Sequence, residues 1–147
     1  MAFKTTIGRL CLVFLFILGG VSKFQDPSPT AKALQEGYLK TDVKFRELTG
    51  SNLPLKPSMV SLYSQQLIYL TGGLELVGAI LTILGNKLGN LLLILLLVAF
   101  NIVIHNPLYA QSEQQFHNEV MQALLNLGVM GGLIMGMSSS QEKLKTE

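Results

Sequence analysis

Charge is scarce in this 147-residue chain. Asp, Glu, Lys and Arg make up only 14% of it, and the formal net charge is +2. A chain that close to neutral, with no basic stripe and no Gly-rich phosphate loop, offers nucleic acid no electrostatic footprint, and no nucleic-acid partner is expected. Cysteine is nearly missing too. Cys11 stands alone in an apolar run, so neither an intrachain disulfide nor a CxxC redox pair can form. It reads as a small hydrophobe facing lipid. No Ser-His-Asp or Cys-His arrangement suggests itself, and no catalytic residue is assigned.

What fills the chain instead is hydrocarbon. The hydrophobic fraction is 49% and the mean hydropathy is +0.44, too apolar for an ordinary soluble domain. About 20 mostly apolar residues cross a bilayer as a helix. Four such spans are expected, at 7–24, 59–84, 88–105 and 120–137. Together they predict an all-α, single-domain, four-helix transmembrane bundle over 1–147. Arg9 and Lys23 are expected to snorkel to the two interfaces of the first span. Gly85-Asn86-Lys87 reads as a tight turn. The segment 25–58 is the long connection. It opens at Asp26-Pro27 and carries Leu34, Tyr38, Val43 and Phe45 among charged residues. One or two short amphipathic helices are expected there, lying on the membrane or capping the bundle.

The N-terminus has the layout of a signal peptide, with Lys4 and Arg9 before an apolar run and a small-residue stretch. It is expected to be retained as the first span. A basic start without an acid before Asp26 also fits an uncleaved organelle-import signal, favouring the mitochondrial inner membrane over the endoplasmic reticulum. Basic residues divide almost evenly between the two sides, with a slight lean towards termini on the cytosolic or matrix side.

Glu75 is the sole charge between Pro57 and Asn86. An acid at that depth faces a partner, a cavity or a bundle interior. Proton relay, ion ligation and contact with a quinone head group are the chemical readings. The plainer one is a structural bond to a neighbouring helix, through Asn101, Tyr69, Thr71 or Arg9. Arg9 lies about 15 Å of helix rise away along the span, so contact requires it to sit deep. Asn101 and Asn126 are read as interhelical hydrogen-bonding residues, and Gly72, Gly73, Gly78, Gly128 and Gly132 as small-residue packing positions. His105, Glu113, His117 and Glu119 gather in and after the third loop. Their spacing matches no metal-ligand motif, so neither metal nor haem is expected. Met121, Met130, Met135 and Met137 read as adaptable packing.

Two stretches resemble a known family. Residues 8–24, GRLCLVFLFILGGVSKF, resemble the DoxX-like pattern of Arg, apolar run, small pair and Ser-Lys. Residues 72–89, GGLELVGAILTILGNKLG, resemble its Gly-x-x-Glu-Leu-x-Gly helix and Gly turn. The long first loop with AKAL and the overall length are similar to the HR-like lesion-inducer branch. That branch often lacks an acid at the Glu75 position. The resemblance implies a four-helix membrane protein and little defined chemistry, beside redox and quinone associations among DoxX relatives. The expectation is a non-catalytic accessory subunit of a larger membrane complex, such as a respiratory-chain assembly, with the bilayer and other subunits as partners. No cofactor is expected; bound lipid is, and a quinone is the further option. The alternative is a quinone- or proton-handling oxidoreductase component. A small transporter is disfavoured, since no inverted repeat or broken helix stands out.

Overall fold

A computed structural model describes the backbone of residues 2–144 and the side chains of 6–137. Six α-helices follow in order: α1 (Ala2–Gln25), α2 (Ser28–Thr49), α3 (Pro57–Leu62), α4 (Ser64–Ile83), α5 (Lys87–Val103) and α6 (Glu113–Leu144), with a 3-10 turn at Pro107–Tyr109 before the last. Four helical stretches are long and apolar enough to cross a membrane: Thr6–Gln25, Ser64–Ile83, Lys87–Tyr109 and Glu113–Met137. The protein is an all-α bundle with four candidate membrane spans and no strand among the described residues.

Local chemistry sets the breaks. Proline cannot continue a helix ladder, and α1 stops at Asp26-Pro27, where the Asp26 carboxylate accepts the Ser28 N–H at 3.0 Å. The α2 helix ends at Gly50, whose φ of 71° suits a residue without Cβ. Asn86 caps α5 by accepting the Leu88 N–H at 2.9 Å. The run expected as one span at 59–84 is interrupted at Tyr63, which separates α3 from α4.

Between the first two spans, ahead of the short α3, lies the 22-residue α2, longer than the short helices expected. It packs on α4 and α5. At Gly37 it approaches α5 so closely that a Cβ would collide with the Val103 carbonyl. The return loop is tied back to α2 by Asp42, which accepts the Leu53 N–H at 3.0 Å, and by the Tyr38 hydroxyl, which donates to the Leu55 carbonyl at 2.9 Å.

In the ring of spans, α1 packs on α4, α4 on α5 and α5 on α6, while α6 meets α1 only sparsely. Gly20 crosses Gly72 where α1 meets α4. Val13, Phe16, Ala79, Leu93, Leu97 and Leu133 form the packed core. One half of the bundle is thus filled with hydrocarbon, towards the α4–α5 turn. The other half, towards α2, holds most of the buried polar groups.

Candidate functional site: a polar cavity inside the bundle

The buried face of α4 repeats at helical spacing through Ser64, Ile68, Gly72, Glu75, Ala79 and Thr82. Glu75 therefore points inward, and only 4% of its surface is exposed. Its partner is Lys23, whose ammonium donates to both carboxylate oxygens at 2.9 and 2.8 Å. The same ammonium lies 3.4 Å from the Gly19 carbonyl and 5.2 Å from the centre of the Phe100 ring. A cation over an aromatic face is attracted by the ring quadrupole. So Lys23 does not snorkel to the interface as its sequence position suggests. With Glu75 already buried on α4, the ammonium offsets a carboxylate that would otherwise be stranded away from water.

None of the four expected partners of Glu75 holds it. Arg9 packs beside Gly85 at the α4–α5 turn, ten residues further along the chain than Glu75. Tyr69 stacks on Phe24 with ring centres 5.8 Å apart. The Thr71 hydroxyl donates to the Ile68 carbonyl at 2.9 Å. Asn101 accepts from the Asn126 amide at 2.7 Å, which links α5 to α6.

A cavity of about 280 Å³ opens beside the ion pair. Gly19 and Lys23 from α1, Glu75 from α4, Phe100 from α5, His105 just beyond α5, and Gln122 and Asn126 from α6 surround it. Leu15, Phe16, Leu97 and Val129 supply its apolar wall. Gln122 donates to the Asn126 side-chain oxygen at 3.3 Å. His105 Nδ1 lies 3.1 Å from a Glu119 carboxylate oxygen. His105 also lines two further cavities, one under the start of α2 with Lys23 and Phe100, and a polar one with Glu36, Lys40 and Glu119. It is the residue shared by all three.

The loop cluster does not come together as a unit. His105 pairs with Glu119, whereas His117 and Glu113 form a separate exposed contact of 3.9 Å within α6. Among the described residues no three His, Cys, Asp or Glu side chains gather at metal-binding distance. The small residues also separate by role. Gly72 meets α1 and Gly78 meets Leu93 of α5, while a Cβ at Gly73 would stand 3.9 Å from the Phe24 ring. Gly132 sits under Leu12, but Gly128 and Gly131 face open space.

Lys23, expected at the interface, and Gln122, given no role by the sequence, are both cavity residues. The signal for Lys23 was present. It continues the buried face of α1 through Val13, Phe16 and Gly20. Gln122 stands one helical turn before Asn126, an amide pair in an apolar helix.

These features define a class: a four-span helical membrane protein with a charge-paired polar cavity in one half of the bundle. The chain belongs to the HR-like lesion-inducing family, whose model matches residues 1–137. No curated protein and no solved structure matches it.

Proposed function

We propose that the protein is a non-catalytic membrane subunit that works by docking onto other membrane proteins. The observation that carries this reading is the outer face of α6. This helix is the least buried of the four spans and packs fully on only one neighbour, α5. Its outward stripe runs through Leu124, Gly128, Gly131 and Met135, with nothing within 4 Å of either glycine's Cβ position. Close helix approach in a bilayer uses such small residues, and lipid gains nothing from them. The setting we propose is an assembly of the mitochondrial inner membrane, such as a respiratory-chain complex, supported by the basic, acid-free start of the sequence. The wider DoxX-like kinship belongs to the same proposal.

The test is extraction in mild detergent, native electrophoresis and mass spectrometry of the band. Co-migration with respiratory subunits that is lost in Gly128→Leu supports the docking role. Migration of the wild-type protein as a lone small species sinks it.

The polar cavity favours a second reading, a quinone- or proton-handling component of a membrane oxidoreductase. Here Glu75→Gln abolishes the activity of an intact assembly. Under the docking role the same variant either disrupts assembly or changes nothing.

A further inference from the structure

We infer that the inner cavity is a binding site for the uncharged, oxygen-bearing head group of a membrane-dissolved amphiphile, which enters sideways between α1 and α6. The proposal extends the second reading above and is independent of the docking role.

Four observations carry it. The first is the way in. The cavity lies at the seam where the ring of spans is weakest, since α1 and α6 meet only sparsely. Leu12 against Gly132 closes that seam at the level of the packed core. The second is charge. Lys23 and Glu75 neutralise each other within the wall, through two short bonds. A charged head would enter a low-dielectric site whose two lining charges, Lys23 and Glu75, already offset each other, whereas an uncharged head leaves that balance intact.

The third is the hydrogen-bonding capacity that remains. The Gln122 amide oxygen and His105 Nε2 have no hydrogen-bond partner among the described residues. An amide oxygen accepts, and an imidazole nitrogen donates or accepts according to tautomer. A hydroxyl or a ketone matches that set. The fourth is size and shape. About 280 Å³ is small for a whole drug-sized ligand. It takes one ring or a short head, with Leu15, Phe16 and Val129 against its apolar part. The hydrocarbon tail stays in the bilayer through the open seam.

Ketone and alcohol heads share this chemistry, and the experiment separates them. The chain has no tryptophan, so Leu15→Trp places a single fluorophore at the cavity rim of the full-length protein. In detergent micelles at pH 8 it is titrated with four ten-carbon probes: a decyl-benzoquinone, decanol, decanoate and decyltrimethylammonium. The expected result is a saturable emission change with the quinone, with decanol, or with both, at least tenfold tighter than with either charged probe. Which neutral probe binds assigns the source. Adding Gly19→Leu, which fills the space beside the ion pair, weakens neutral binding at least tenfold. Val129→Phe does so from the opposite wall and serves if Gly19→Leu fails to fold. No saturable change in folded Leu15→Trp overturns the proposal. So does charged binding as tight as neutral, or undiminished binding in a folded filled variant. None of these outcomes bears on whether the protein docks onto partners.

Discussion

Two side chains decide how the interior tolerates charge. With Glu75 at 4% exposure and Lys23 at 9%, each is the other's solvent. Removing one partner of a buried pair strands the remaining charge, which typically costs about 3 to 5 kcal/mol. Lys23→Met and Glu75→Gln are each expected to lose about 3 kcal/mol in equilibrium unfolding from mixed micelles. The double variant should recover most of that loss, because no stranded charge remains. Additive losses in the double variant would contradict the pairing. A second residue-level test lies at Thr82, 1% exposed, whose hydroxyl has no hydrogen-bond partner among the described residues. A buried polar group without a partner carries a penalty of about 1 to 3 kcal/mol. Thr82→Val keeps the shape and removes the hydroxyl, and should raise stability by about 1 kcal/mol in the same assay.

The elements hold together through a few defined contacts. Gly37 lets α2 lie against the end of α5. Gly37→Val should lift α2 away and speed tryptic cleavage at the exposed Lys44 and Arg46, with the spans left intact; unchanged cleavage would mean that α2 does not depend on this contact. Asn126→Leu removes the amide bond between α5 and α6, which should lower stability by about 1 kcal/mol, near the range measured for such bonds in membranes. The apolar runs made the four spans readable, because length and hydropathy alone define a crossing helix. The single long α2 was less readable. Gly37 is a poor helix former, and only its seat against Val103 explains why a glycine belongs mid-helix. The partner of Glu75 was hidden for a related reason. Lys23 stands 52 residues away in the chain, and their meeting depends on the register set where Gly20 crosses Gly72. Local pattern places each residue on an inward face, but it does not state which inward faces meet.

At the scale of the molecule, the two ends of the bundle are unlike. One end carries the α4–α5 turn with Arg9 beside it; the other carries α2 and the loop from α5 to α6. The outer surface between them is apolar, with Leu10, Phe14, Leu18, Ile80, Leu91 and Leu95 exposed. In water such a surface would aggregate, and in a bilayer it is the wall that faces lipid. The arrangement predicts opposite labelling. In a Cys11→Ser background, Lys87→Cys and Ser51→Cys should react with an impermeant maleimide from opposite sides of sealed vesicles. Labelling of both from one side would break the four-span topology.

The separation of the ion pair along the chain also has a consequence in time. Entering N-terminus first, the chain brings Lys23 to the membrane 52 residues ahead of Glu75. During that interval α1 reaches the membrane with an ammonium on its inward face and no carboxylate to receive it. The first helix must therefore wait at the insertion machinery, or hold Lys23 near the water boundary, until α4 emerges. Glu75 then acts as the latch that lets α1 settle, and a chain truncated before α4 should be released into lipid poorly and degraded early.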